Sequence, residues 1–317
     1  MDRDQLERNQ IPLYFIAVVL AAAIGLFTPG VARPLEALVT PAIAVLMYAM
    51  FLQIPFLDLR AGLGNRRFMG ALLLANFVLV PLLVWAGTRG LVEHPAVLVG
   101  ALLVLLTPCI DYVVVFTHIG KGDSRLTLAA TPVLLLVQLA LLPLYLALML
   151  GGGQVEISVV PFVEAFVLLI VLPLLLAVAT SAGARRSALV AKWNDAWAWL
   201  PVPAMALVLV AVIGSQISVM ASRLDDLLPV VPVYVGFALL APFLGWGAAR
   251  LFKLSTGEAR AVTFSAATRN SLVVLPLALA LPESIRALAA AAVITQTLVE
   301  LVSELIYVRT VPALVRR

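Results

Sequence analysis

Charge and cysteine are both scarce in this sequence. Only 12% of its 317 residues are charged, about half the share found in soluble domains. The single cysteine excludes an internal disulfide, and no CxxC pair or Cys/His cluster suggests a structural metal site. The longest polar stretches are the first ten residues and roughly residues 180–195. These stretches leave no room for a soluble catalytic domain.

Apolar sequence is correspondingly abundant. Hydrophobic residues make up 63% of the chain, a share typical of membrane proteins. Since a helix needs about 20 mostly apolar residues to cross a bilayer, we predict an all-α polytopic membrane protein with ten transmembrane helices. The predicted helices are 11–28, 35–56, 68–88, 95–119, 126–150, 159–180, 196–215, 227–249, 258–281 and 286–308. No small-residue cleavage site follows the first apolar run, which favours a membrane helix over a removed signal peptide.

Basic residues are divided unevenly between alternate loops. One set of loops holds sixteen Lys and Arg residues, and the other holds four, namely Arg33, Arg89, Arg223 and Arg286. Because Lys and Arg concentrate in cytoplasmic loops, we expect a multi-pass protein of the cytoplasmic membrane with both termini in the cytoplasm. The net charge of +4 then reflects topology. We therefore predict the lipid bilayer as surroundings and no nucleic-acid partner.

The sequence repeats itself at a spacing of about 160 residues. Pro81, Trp85 and Arg89 match Pro242, Trp246 and Arg250; Pro41 matches Pro203; Asp123-Ser124 matches Glu283-Ser284. Because each repeat contains an odd number of helices, the second copy enters from the opposite side, as in the inverted repeats of secondary transporters. We predict one transmembrane domain built from a first five-helix repeat, residues 1–155, and a second, inverted repeat, residues 156–317.

Polar residues interrupt the fourth and ninth predicted helices at matching points of the repeat. The interruptions are residues 107–111 (TPCID) and residues 268–271 (TRNS). Pro108 predicts a break because proline lacks a backbone donor and clashes with the preceding turn. The repeat aligns Cys109 with Arg269. Since broken helices of such transporters meet at the substrate site, we predict that these two residues share that site.

Arg269 is the most informative single residue of the sequence. A central arginine costs at least about 2.5–3.5 kcal/mol on membrane-insertion scales, so it should face a partner or water. It either forms an ion pair that holds the bundle together or lies within or beside the substrate path, and we favour the path. There Asn270 would supply a neutral ligand and Ser271 would support it. Arg269 keeps its proton at accessible pH, so it cannot carry the transported proton.

Glu300 and Glu304 lie inside the last predicted helix and share one face of it at their spacing of four residues. The proton affinity of a carboxylate responds to burial and to a nearby cation such as Arg269. We therefore predict that Glu300 gains and loses a proton during transport. Glu304 either supports it or extends towards the cytoplasmic surface.

The remaining candidates have more than one interpretation. Cys109 is either a small buried hydrophobic residue or a soft ligand for a thiophilic species; as a ligand it would contact a metalloid. Asp111 either caps the second half-helix or pairs with a cation. Gln138 is a plausible hydrogen-bond donor between helices. No cofactor is predicted.

These residues resemble the arsenite permeases of the bile acid/arsenite/riboflavin transporter superfamily. The resemblance covers nearly the whole chain and is most specific at Pro108-Cys109, at Gly122-Asp123 and at Arg269-Asn270. It implies that Cys109 is the functional cysteine and Glu300 the functional glutamate. It also implies export of arsenite, and sometimes antimonite, in exchange for protons.

Two other functions compete with arsenite efflux. The bile-acid branch of the superfamily resembles sodium symporters of organic anions, but a fixed cation at Arg269 would repel sodium from that region. A membrane-embedded enzyme would need a nucleophile with its base. His118 lies nine residues of helix from Cys109, about 13 Å at 1.5 Å per residue, too far for a hydrogen bond. We therefore predict a transporter of a small inorganic or organic substrate and not an enzyme.

Overall fold

The computed structural model describes residues 10–54, 64–110, 112–150, 164, 166–279 and 281–316. Within these residues every regular element is a helix. The main helices are α1 (Gln10–Phe27), α2 (Pro29–Gln53), α3 (Arg66–Leu74), α4 (Val80–Gly87), α5 (Pro95–Leu105), α6 (Val113–Ile119), α7 (Ser124–Leu150), α8 (Leu172–Ala184), α9 (Ala188–Trp197), α10 (Pro201–Ser222), α11 (Val231–Leu251), α12 (Thr256–Ala267), α13 (Ser271–Leu279) and α14 (Glu283–Leu314). Two π-helical turns, Ala75–Leu79 and Val167–Val171, precede α4 and α8.

The chain forms two compact units, each assembled from two separate segments. The first unit contains residues 1–57 and 158–224, and the second contains residues 58–157 and 225–317. In the first unit α10 packs against α1 and α2, and α8 packs against α2 and α9. In the second unit α12 packs against α11, and α5 packs against α13 and α14. Each unit therefore draws one segment from each predicted repeat, and the repeats themselves stay a prediction.

The helices occur where the apolar runs predict them, with one addition. Helix α9 lies in the polar stretch between the sixth and seventh predicted helices, where no helix was expected. Five helical stretches of the described chain are long and apolar enough to cross a bilayer. The count becomes six if α9 and α10, bent by 46° at their junction, form one span. These stretches fit an all-α membrane protein, while the number ten stays a prediction.

Close helix contacts in the second unit occur at glycines. A Cβ atom placed on Gly100 of α5 would lie 2.4 Å from the carbonyl oxygen of Ala289 in α14. A Cβ atom on Gly245 of α11 would lie 2.7 Å from the Cα atom of Thr263 in α12. Neither position can hold a side chain without moving backbone, so glycine allows these helices to approach each other closely. Small residues allow the same close approach between helices throughout membrane proteins.

Arg260 of α12 binds the end of the last helix. Its guanidinium donates to the carbonyl oxygens of Pro312 at 3.3 Å and Val315 at 3.2 Å. A further bond, of 3.2 Å, reaches the carbonyl oxygen of Lys121 in the turn after α6. Because the end of a helix leaves carbonyl groups unpaired and carries partial negative charge, a cation there stabilises the last turn of α14.

Replacing Arg260 should loosen the end of α14. Hydrogen bonds to a charged group contribute about 1.5–3 kcal/mol, and we expect the lower end of this range because Arg260 is only half-buried. Carboxypeptidase should therefore shorten the Arg260→Gln protein faster than the parent protein. Arg309→Gln, at an exposed position of α14, is the matched control. Equal digestion rates for the two variants would contradict the assignment.

Candidate functional site

The two interrupted helices of the second unit cross at their interruptions. Helix α5 ends at Leu105 and α6 begins at Val113, while α12 ends at Ala267 and α13 begins at Ser271. Pro108 and Arg269 pair as an isolated antiparallel bridge. The backbone N–H of Cys109 donates to Thr268 O at 3.1 Å, and that of Asn270 donates to Thr107 O at 2.9 Å. We call residues 107–109 and 268–270 the crossing.

The crossing satisfies backbone groups that the interruptions release. Away from water an unpaired N–H or C=O is costly, and each crossing segment supplies the partner that the other needs. Two threonines finish the adjoining half-helices in the same way. Thr107 donates its hydroxyl to Leu103 O at 2.8 Å, and Thr268 donates to Phe264 O at 2.7 Å. These threonines are 161 residues apart, the same spacing as Pro81 and Pro242 and one residue more than that of Cys109 and Arg269.

Arg269 is fully buried, and its guanidinium faces carbonyl oxygens. Nη2 lies 2.7 Å from Ser265 O and 2.8 Å from Ala266 O, at the end of α12. Nη1 lies 3.5 Å from Leu105 O, at the end of α5. The side-chain oxygen of Asn76 accepts a further bond from Nη2, of 2.7 Å. The guanidinium therefore lies at the C-terminal ends of two helices, where partial negative charge favours a cation.

Asn76 belongs to the π-helical turn Ala75–Leu79 and is itself fully bound. Its amide nitrogen donates to Leu72 O at 3.1 Å and to the hydroxyl oxygen of Ser265 at 3.0 Å. Its oxygen is consequently directed at Arg269, which fixes the guanidinium from a third helix. The sequence analysis missed this residue. A lone asparagine inside an apolar helix is the signal that could have found it, because polar groups within membranes need partners.

Glu300 of α14 contacts both segments that surround the crossing. Its Oε2 accepts a bond of 2.9 Å from the backbone N–H of Arg269 and one of 2.5 Å from Gln296 Nε2. Its Oε1 lies 2.5 Å from the hydroxyl of Tyr112, which also contacts Arg269 O at 2.8 Å. The carboxyl group thus receives no bond from the guanidinium of Arg269. Tyr112 and Gln296 are site residues that the sequence analysis did not identify.

Glu304 lies one helical turn beyond Glu300 and is also fully buried. Its Oε1 is 2.5 Å from the hydroxyl oxygen of Thr268. Its Oε2 has no hydrogen-bond partner among the described residues. Glu300 and Glu304 therefore contact consecutive residues of the crossing, as their shared helix face predicts.

The other predicted site residues are placed less centrally. Cys109 is fully buried in the crossing and lies within electrostatic range of Arg269. Asn270 immediately precedes α13 and caps it, since its side-chain oxygen accepts a bond of 3.1 Å from Val273 N. Ser271 and Gln138 are buried, and one polar atom of each has no partner within the described chain. Asp111 lies outside the described residues.

The structure therefore brings Pro108, Cys109, Arg269, Asn270, Glu300 and Glu304 together at the crossing. Gln138 belongs to α7, which packs against α5, and shares no described hydrogen bond with this group. Among the described residues no three Cys, His, Asp or Glu side chains form a cluster suited to a metal ion.

The sequence model of the sodium bile acid symporter family matches residues 40–223, more than half of the chain. This range includes the first segment of the crossing and ends before the second. No curated protein matches the sequence significantly.

Proposed function

This chain belongs to the sodium bile acid symporter family, and we propose that it exports arsenite or antimonite in exchange for protons. The family and the apolar helices together make it a multi-pass membrane transporter. The identities of the substrate and of the coupling ion are what we propose. The crossing supports them because interrupted helices that meet inside a membrane protein are the usual place of substrate and ion sites.

The position of Arg269 supports proton rather than sodium coupling. Carbonyl oxygens at half-helix ends are the groups with which such transporters coordinate sodium. Here the guanidinium of Arg269 already donates to the carbonyl oxygens of Leu105, Ser265 and Ala266. A sodium ion about 4 Å away would be repelled by about 4 kcal/mol at an effective dielectric constant near 20. The guanidinium of Arg269 therefore occupies the carbonyl oxygens that a sodium ion would need as ligands.

The surroundings of Glu300 support its role as the proton carrier. A buried carboxylate normally requires a cation or several donors. The guanidinium of Arg269 gives its bonds to carbonyl groups and Asn76 instead of Glu300. Glu300 can therefore take up a proton without breaking an ion pair. Its contact with the backbone of Arg269 connects such a change directly to the crossing.

The position of Cys109 is the observation that carries the proposed substrate. Its backbone is held by Thr268, and its thiol is buried in the crossing. Thiolate is a soft ligand that binds thiophilic elements, and trivalent arsenic hydroxide is a small neutral molecule of that kind. A bile-acid-type organic anion would instead need the guanidinium of Arg269, which is fully buried and whose Nη atoms already donate to protein acceptors, leaving Nε as its one donor without a partner in the described chain. We therefore favour the metalloid over the organic anion.

Arsenite accumulation in sensitive cells that lack their own exporter tests this proposal. The intact chain should lower accumulation several-fold, and both Cys109→Ala and Glu300→Gln should abolish the effect while reaching the membrane in normal amounts. Glu93→Gln, which removes an exposed carboxylate, should export like the intact chain. If the intact chain leaves accumulation unchanged, arsenite is the wrong substrate, and uptake of organic anions with and without sodium becomes the next measurement.

A further inference from the structure

We propose that Glu304 is a second proton-binding site of the crossing and that it carries a proton in the conformation described here. Its role in transport rests on the proposed function, whereas its protonation does not. Three observations carry the inference: the hydroxyl proton of Thr268, the partners of the Arg269 guanidinium, and the groups that surround Glu304.

The hydroxyl of Thr268 has one proton and two close oxygen neighbours. Phe264 O lies at 2.7 Å and Glu304 Oε1 at 2.5 Å. A carbonyl oxygen only accepts hydrogen bonds, and an ionised carboxylate also only accepts. Shared between both acceptors in a three-centre bond, the single hydroxyl proton would give two weakened contacts. A proton on Glu304 lets Thr268 donate to Phe264 O while the carboxyl group donates to the Thr268 hydroxyl, so both contacts become full hydrogen bonds.

Tyr112 repeats this arrangement at Glu300. Its hydroxyl lies 2.8 Å from Arg269 O and 2.5 Å from Glu300 Oε1. The single hydroxyl proton of Tyr112 thus faces both the carbonyl oxygen of Arg269 and the carboxyl oxygen of Glu300. If Glu300 is protonated, Tyr112 donates to Arg269 O while Glu300 donates to the Tyr112 hydroxyl. The crossing thus offers two equivalent positions, each with a hydroxyl group between a carboxyl and a backbone carbonyl. Glu304 differs only in having no donor at its second oxygen.

The crossing holds one cation for two carboxyl groups. The guanidinium of Arg269 lies at the C-terminal ends of α5 and α12, whose partial negative charge already offsets part of its positive charge. If Glu300 and Glu304 were both ionised, at least one carboxylate would be buried without a compensating cation, which is strongly unfavourable in a membrane interior. Protonation of Glu304, which has the fewer hydrogen-bond partners, removes that cost.

No other cation of the described chain faces Glu304. Its titratable neighbours are Glu300 and Tyr307, both on α14. Helices α5 and α13 contain no titratable residue. In α11, Tyr234 donates to Ala292 O, and Arg250 lies in the last turn of the helix. In α12, Arg260 donates to Pro312 O and Val315 O, and Glu258 lies in the first turn. In α6, His118 lies in the last turn.

Infrared difference spectroscopy of the purified protein at neutral pH tests the protonation directly. A protonated glutamate gives a carboxylic-acid C=O band that an ionised one lacks. Glu304→Gln should remove one such band, Glu300→Gln should remove another, and the double variant should lack both. Glu93→Gln, at an exposed position outside the crossing, is the matched control and should leave these bands in place. A spectrum in which Glu304→Gln leaves the carboxylic-acid bands unchanged would overturn the proposal.

A second variant keeps the test valid if Glu304→Gln does not fold. Thr268→Val retains Glu304 but removes its hydrogen-bond partner, so the Glu304 band should shift in frequency; an unshifted band would also overturn the assignment.

For transport, the number of protons exchanged per arsenite should fall from two to one in Glu304→Gln. Failure of arsenite export with an intact infrared result would refute only the proposed substrate. Loss of the infrared result with intact export would refute only the second proton site.

Discussion

Arg269→Leu should lower the free energy of unfolding by about 3–5 kcal/mol, the cost of removing one partner from a buried charged network. The carbonyl oxygens of Ser265 and Ala266 and the side-chain oxygen of Asn76 all lose a donor. Thermal unfolding of the detergent-purified protein measures the effect. Arg125→Leu, which removes an exposed arginine, should unfold at nearly the parental temperature.

The same variant separates the two possible coupling ions. With the guanidinium gone, the carbonyl ends of α5 and α12 become available to another cation. We expect sodium chloride to raise the unfolding temperature of Arg269→Leu more than choline chloride does, and to have no such specific effect on the parent protein. A parent protein that is itself stabilised by sodium would show that Arg269 does not exclude this ion. Arg269→Lys keeps the positive charge but loses the guanidinium's planar set of donors. Its sodium-specific rise in unfolding temperature should lie between those of the parent protein and Arg269→Leu.

Gly245→Leu should disrupt the second unit, whereas the same substitution two residues later should not. A Cβ atom at Gly245 would meet the Thr263 backbone at 2.7 Å and the Ala266 side chain at 2.9 Å, so α12 would have to move. We expect a loss of about 3 kcal/mol, because Ala266 O would also leave Arg269. No atom lies within 4 Å of the corresponding position at Gly247. Replacing that glycine should even stabilise α11 by up to about 1 kcal/mol.

Size-exclusion profiles and thermal unfolding of the two glycine variants measure this contrast. Because both substitutions add the same side chain to the same helix, differences in expression or membrane insertion largely cancel. Equal stability of Gly245→Leu and Gly247→Leu would mean that α11 and α12 are less closely packed than the structure shows.

Local patterns predicted the helices and the place of the crossing. Apolar runs and Pro108 indicate where helices begin, end and break, since these depend on neighbouring residues in the chain. The repeat spacing then aligned Cys109 with Arg269, and the structure pairs the segments that contain them. The prediction of two inverted repeats and that of ten spans remain to be tested.

Tertiary partners were beyond the sequence analysis. It considered an ion pair for Arg269, yet the guanidinium binds carbonyl oxygens and Asn76, a residue 193 positions away. Backbone carbonyls are present at every position, so sequence cannot indicate which of them a folded chain will direct at a buried cation. Helix α9 was missed for a different reason, because its polar residues resemble those of a loop.

The crossing has a consequence for how the protein is made. Its first segment is synthesised roughly 160 residues before the second, which at about 5–20 residues per second is a delay of about 8–30 s. During this interval the N–H of Cys109 and the carbonyl of Thr107 have not yet met their partners in the crossing. The nascent chain must wait in the bilayer or its insertion machinery with polar backbone exposed. Slow translation of residues 110–270 would prolong that wait and expose the unfinished transporter to membrane proteases.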